Sequence, residues 1–369
     1  MKIRSRNIST VESILLVIMV FQISLIIDKT ICGIRKYFFT QELNLIERYG
    51  NNSWVVITGA SSGQGKEMAI QFAKRGFNLL MIGSKRTDET EHIINTTFPT
   101  VKTKVIHKDF RQAFNTDFFD DIQATFDSIG IDLAVLINNV GHRVGWNPYH
   151  EMNPHYIKDV IATGTIVQSR LTQMVIPFFL QRKRDLKKKS ALINITAQCM
   201  HPNFLFGITM DNEISVPYLS VYEAANAYGF YHGNSIYNEY KGQFDILNVT
   251  PGAVITQNTN CLTDTMFNVS SDVFVKQIIK LVGNVQGHSC AYWGHALSNY
   301  LINLAPMMKD GMLNKVGDTI STDYMKNNPT YNTKDKYSIP LTPLIHDTEK
   351  RGKKGIKGKK RKERDNKIV

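Results

Sequence analysis

The stretch TGASSGQG, residues 58–65, sets three glycines, Gly59, Gly63 and Gly65, between an apolar run and a segment of helical pattern. Glycine lets the backbone adopt positive φ and approach a bulky anion, and the first turn of a following helix offers N–H groups that no helical carbonyl accepts. With Ser61 inside the loop, these residue types at this spacing suit a diphosphate, and the strand before and helix after give the pattern its weight. The four cysteines, Cys32, Cys199, Cys261 and Cys290, form no CxxC pair and no metal-ligand spacing. They read as reduced thiols, and no metal is expected.

A loop of this kind needs a sheet to hold it. The runs WVVIT (54–58), FNLLMI (77–82), KVIH (104–107), LAVLIN (133–138), ALINIT (191–196) and FDILNVT (244–250) read as strands. Helix-length segments lie between them, notably 66–74, 154–182 and 221–240. This alternation predicts βαβ units and an α/β fold, a Rossmann-like doubly wound parallel sheet, with the glycine turn at the carboxyl end of the first strand, where such sheets bind ligands. One domain is expected over residues 50–310, after a hydrophobic anchor and linker (1–49) and before an extension (311–345) and a basic disordered tail (346–369). From Arg182, RKRDLKKKS reads as a solvated connection. The Asn-x-Thr matches at Asn194 and Asn248 fall in predicted buried strands, so neither is read as a glycan site.

Taken in order, TGxxxGxG, then INNVG (137–141), a Tyr-bearing helix, and PG (Pro251, Gly252) resemble the short-chain dehydrogenase/reductase family over about residues 54–294. RGFNLLMI, FVKQIIKLVG and GHAL are similar to the membrane-bound very-long-chain 3-oxoacyl-CoA reductases and the related 17-beta-hydroxysteroid dehydrogenases. The resemblance implies NADP(H) as cofactor, with Lys85 and Arg86 standing where a base accepts the 2′-phosphate and an acid would favour NAD. It also implies that Asp109 contacts adenine, that Asn138 lines the adenosine side, and that Pro251 closes the cofactor site. Gln64 occupies a place where the family commonly has an aliphatic residue.

Carbonyl reduction in that family takes a proton from a tyrosine whose phenol, ordinarily near pH 10, is brought towards neutrality by a neighbouring ammonium. Tyr222 of YEAAN matches the tyrosine, but Asn226 stands where the lysine belongs, and an amide carries no charge. Ala197 replaces the serine that holds the carbonyl oxygen, leaving Thr196 as the nearest hydroxyl, and Gly164 replaces the asparagine of the preceding long helix. Lys241 lies four residues after Tyr237, yet at the far end of the helix, so that YxxxK is a decoy. Between Ala197 and Tyr222 the chain is about twice the family's length, and the extra LFGITMDNEISV is expected to form an enlarged loop over the substrate mouth.

Two functional readings follow: a catalytically impaired relative that binds nucleotide and lipid, and an active NADPH-dependent oxidoreductase of long-chain acyl or steroid ketones that uses Tyr222 with Thr196 and Asn226 as a substituted support set. A long-chain acyl-CoA or steroid-like ligand, membrane lipid, proteins of an elongation complex and a second copy of the chain are the implied partners. The endoplasmic reticulum membrane is the implied location, with the folded domain facing the cytosol. The formal net charge of +12 does not point to specific nucleic-acid binding, because residues 350–369 hold eleven Lys or Arg against Glu363 and Asp365 with no interleaved aromatics. The apolar run ILLVIMVFQISLII (14–27) would rise only about 21 Å as a helix, short of a roughly 30 Å hydrocarbon core. A cleaved signal, a short or re-entrant anchor extended through residues 30–34, and an amphipathic helix against the body compete, and membrane association is expected.

Overall fold

The computed structural model of the protein describes residues 9–198, 204–205, 208–209, 216–256 and 264–304. Cys199, Cys261, most of the enlarged loop, and the extension and tail from residue 311 onward lie outside the described residues. In chain order the elements are α1 (Thr10–Ile34), α2 (Leu45–Tyr49), β1 (Trp54–Thr58), α3 (Gly63–Lys74), β2 (Asn78–Gly83), α4 (Thr87–Thr97), β3 (Thr103–His107), α5 (Asp120–Ile129) and β4 (Leu133–Asn138). There follow α6 (Pro154–Ile161), α7 (Val167–Leu186), β5 (Ala191–Ile195), the short pair β6 (Phe204–Leu205) and β7 (Ile208–Thr209), α8 (Ser220–Tyr240) and β8 (Asp245–Val249). The chain continues through β9 (Val254–Ile255), β10 (Val269–Ser270), α9 (Ser271–Leu281), β11 (Gly287–Ser289) and α10 (Trp293–Leu304).

Seven strands form one sheet in the order β11-β8-β5-β4-β1-β2-β3. Every pairing in it is parallel. The order reverses between β1 and β4, so the turn after β1 opens into the crevice where open α/β sheets bind ligands. Strands β2, β4 and β8 are buried along their whole length and β1 and β5 at all but one residue, as a sheet covered by helices on both faces requires. One face packs on Met68, Phe72, Phe274 and Ile278 of α3 and α9, the other on Phe126, Leu171, Val175 and Phe179 of α5 and α7.

Three features depart from the expectations above. The long helix expected over 154–182 is α6 and α7 joined by a π-helical segment, Ala162–Ile166, that contains Gly164. Arg182 is not the start of a solvated loop: it is 1% exposed, and its guanidinium donates to the carbonyls of Ile131 (2.6 Å) and Tyr49 and to Ser53 Oγ (2.8 Å). A buried guanidinium holds that place because backbone carbonyls and a hydroxyl replace its water. The amino-terminal helix is longer than its apolar run, since Ser9 and Glu12 close a capping box at its start. Twenty-five residues rise about 37 Å, enough to cross a hydrocarbon core, and none of them is buried against the body.

Candidate active-site cleft

Thr58 closes β1 and its hydroxyl organises the turn. It donates to the Ile137 carbonyl and accepts from the backbone N–H of Asn139 (2.9 Å) and Val140 (3.0 Å), tying the glycine loop to the end of β4. Gly59 has φ +70° and Gly63 φ +56°. A Cβ on Gly65 would run into the Gly59 carbonyl and the Asn139 amide, so helix and strand approach each other only because that side chain is missing. Ser62 caps α3 without a side-chain hydrogen bond, leaving the first-turn N–H groups for another acceptor. The buried Gln64 Oε1 likewise has no partner among the described residues.

Around this loop lie two cavities that share Gly59, Ser61 and Val140. The first, about 470 Å³, is lined by Gly63, Gln64, Asn139, Thr196, Ala197, Tyr222, Asn226 and Pro251, among others. The second, about 480 Å³, is lined by Ser84, Lys85, His107, Lys108, Asp109 and Arg111. Most of the predicted site residues therefore meet, with Gly65 packed behind the loop against Gly59. Two do not: Arg86 lines neither cavity. Asn138 turns away into the sheet, where its amide donates to Thr172 Oγ1 (3.0 Å) and Asn194 Oδ1 (2.9 Å). Asn138 sits on the inward side of the alternating strand, so the lining role passes to Asn139, whose amide also reaches the Thr58 carbonyl at 3.0 Å. The doubled asparagine of INNVG is the signal that could have placed it.

At the adenosine end Asp109 accepts both an Arg111 backbone N–H and its guanidinium, and this hydrogen bonding holds the Asp109 carboxyl below the usual range. Lys108 is paired with Asp121 at 2.8 Å and His107 with Asp88 at 2.6 Å. Lys85 forms no ion pair among the described residues.

At the chemical end Tyr222 and Asn226 project from the first turns of α8, and Thr196 and Ala197 follow β5. The Asn226 amide donates to the carbonyl of Tyr222 in its own helix (2.8 Å). The Thr196 hydroxyl donates to the Val249 carbonyl (3.2 Å), back into the sheet. Both groups predicted to support the phenol are thus engaged with backbone. Gly164 faces Ala225, and a Cβ there would stand 3.0 Å from the Ala225 methyl. One turn along, Gln168 also lines the cleft, and its amide reaches the Gly229 carbonyl and His232, whose imidazole burial holds below its usual pKa. Gln168 was not singled out from the sequence, although its place one turn after Gly164 on the same helix was readable. Lys241 ends α8 over the ring of Tyr237, far from the cleft.

Residues 53–204 match the family described as short chain dehydrogenase. The very-long-chain 3-oxoacyl-CoA reductase of Bos taurus is 30% identical over 251 residues, which cover 66% of this chain and 72% of that protein. The chain belongs to the short-chain dehydrogenase family. The human protein named very-long-chain 3-oxoacyl-CoA reductase is 29% identical over 264 residues (70% and 77% covered), and human 17-beta-hydroxysteroid dehydrogenase type 3 is 28% identical over 257 residues (69% and 75%). Among solved structures, a short-chain dehydrogenase from Sphingobium yanoikuyae in complex with NADPH superposes with a TM-score of 0.51 at 20% identity, covering 68% of this chain and 94% of that one. A 7beta-hydroxysteroid dehydrogenase gives 0.54 at 18%, covering 66% and 88%. These structures share the fold. In this member of the family the cleft has one half around the glycine loop and Lys85 and another around Tyr222, Asn226, Thr196 and Ala197.

Proposed function

We propose that this protein is a membrane-associated short-chain dehydrogenase that binds NADP(H) and a long-chain 3-oxoacyl thioester or steroid-like ketone, with turnover impaired by the replaced support set. The observation that carries the reading is the immediate surroundings of Tyr222: an amide held by its own helix at Asn226 and a methyl at Ala197. The names of the relatives support the substrate class.

The residues fit the cofactor. The backbone of Gly59, Ser61 and Gly63, with Gly65 packed behind it, and the uncapped start of α3 would hold the diphosphate, Lys85 the 2′-phosphate, Asp109 the adenine, and Pro251 the nicotinamide side. When bound, NADP(H) supplies the hydride. Tyr222 holds the proton that the carbonyl oxygen would take. Without a cation at 226 its phenol is not drawn towards neutrality from that position, and without a hydroxyl at 197 the carbonyl oxygen loses one of its two donors. The remaining surroundings still bind and orient.

The 25-residue α1 supports attachment to the endoplasmic reticulum membrane, with the folded domain on the cytosolic side. Elongation proteins or a second copy of the chain are the partners that an impaired relative would engage. A titration of detergent-solubilised protein with NADPH, paired with a 3-oxoacyl-CoA reduction assay, tests the reading. Binding without appreciable turnover is expected. Robust turnover abolished by Tyr222→Phe would favour the second reading, an active enzyme with an altered support set.

A further inference from the structure

The segment that joins α1 to the domain is not a free linker. The helix runs on through a π-helical turn, Arg35–Phe39, whose Tyr37 lies against Ser289 and Cys290 and whose Phe38 ring is 6.0 Å from that of Trp293. Ser289 is the carboxyl end of β11, the edge strand of the sheet. From there the chain descends along that edge. The Gln41 carbonyl accepts from Asn284, just before β11, at 2.8 Å. Arg48 then makes two hydrogen bonds to Asp245 (2.6 and 3.0 Å) and Tyr49 a third (2.7 Å), at the amino end of β8. Residues 35–49 thus form a strap down the sheet edge, fastened at both ends. The base of α1 sits at the carboxyl end of the strands, the end that carries the cleft.

Exposed apolar side chains gather at this same end. Phe38 and Phe39 are 61% and 72% exposed beside Trp293, and Tyr300 and Leu301 of α10 are 43% and 48% exposed. The Met266 carbonyl touches Gly294 of α10, and the Met266 side chain is 47% exposed. The first turn of α10 also backs the cleft. His295 Nε2 lies 3.2 Å from the Ala253 carbonyl, and the His295 carbonyl accepts from Gln198 at 2.9 Å. Ala253 is a lining residue. The exposed Lys29 and Arg35 add positive charge at the foot of α1, which lipid headgroup phosphates attract.

We propose that this edge, formed by Phe38, Phe39, Met266 and the outer face of α10, rests on the same bilayer that α1 enters, so that the cleft takes its apolar ketone from the lipid surface rather than from water. The proposal rests on the membrane reading of α1. Its partner is a lipid surface, because the strap fastens the foot of α1 to the sheet edge directly beside these exposed apolar side chains.

Tryptophan emission tests it in the full chain, reconstituted into phosphatidylcholine vesicles with and without brominated acyl chains. A variant that keeps Trp293 alone (Trp54→Phe, Trp146→Phe) is expected to lose about half its emission or more to the brominated lipid, since an interfacial side chain sits roughly 5–10 Å into the headgroup and acyl boundary. A variant that keeps Trp54 alone (Trp146→Phe, Trp293→Phe), at the amino end of β1, is expected to keep its emission. Adding Phe39→Glu and Leu301→Glu to the Trp293 form should restore its emission while the protein still sediments with vesicles through α1. Sedimentation with Trp293 unquenched, with both tryptophans equally quenched, or with no effect of the two glutamates overturns the orientation and leaves the membrane reading standing. Failure to sediment overturns both.

Discussion

The two halves of the cleft hang from the same strand ends but are built from different materials. The nucleotide half is made of backbone: a turn with two glycines at positive φ, a helix start without a side-chain cap, and a close approach at Gly65 that forbids a Cβ. The chemical half is made of side chains projecting from α8 and the end of β5, and the β5–β8 pairing ends at Ile195, before Ala197 and away from Asn226. A site of backbone cannot drift without unmaking the fold. A site of side chains can lose its chemistry and leave the fold unmarked.

Restoring the missing side chains is the largest test of that contrast. Asn226→Lys with Ala197→Ser is expected to raise 3-oxoacyl-CoA reduction with NADPH by about 10²-fold, the lower end of what positioned acid–base catalysis contributes. The gain should vanish when Tyr222→Phe is added. Gly164→Asn should add nothing, because its Cβ would press on Ala225. An unimproved double variant that still binds NADPH would show that more than these two groups has been lost.

Damage to the backbone half should be of similar or smaller size but reach binding itself. For Gly65→Ala, overpacking of about 1–3 kcal/mol corresponds to a loss of NADPH affinity of roughly 5-fold to 150-fold, measured by fluorescence titration. Unchanged affinity would mean that the loop does not hold the diphosphate. The smallest change is expected from Lys85→Glu, which should weaken NADPH about tenfold and leave NADH nearly untouched, the size of effect that removing one charge-assisted hydrogen bond produces. Equal effects on both nucleotides would remove Lys85 from the 2′-phosphate.

The strands that carry the cleft were legible because they are continuous apolar runs: β1 and β4 fall on the residues read from the sequence, β3 and β5 differ by one residue at one end, and β2 and β8 by one residue at each end. β11 was not legible. Its three residues, Gly287, His288 and Ser289, show no apolar run and become a strand only by pairing with β8. The same limit hid the break at Ala162–Ile166, where the π-helical turn is a change of backbone hydrogen bonding that residue types do not mark, and it hid Arg182, whose acceptors come from two distant stretches of chain. In the cleft, most of the residues singled out from the sequence line one of the two cavities. Only the folded chain shows that Asn226 and Thr196 direct their polar atoms to backbone, and that Asn138 belongs to an amide ladder running through Asn194 and Asn248 to Asn234.

The strap fastened by Arg48 and Tyr49 has a consequence for the order of events in synthesis. Its acceptor, Asp245, lies 197 residues further along the chain from Arg48. At about 5–20 residues per second, the ribosome delivers that carboxylate roughly 10–40 s after the arginine. Throughout that interval α1 has been made but the strap that follows it has no seat on β8, so an early part of the chain is among the last to be locked in place.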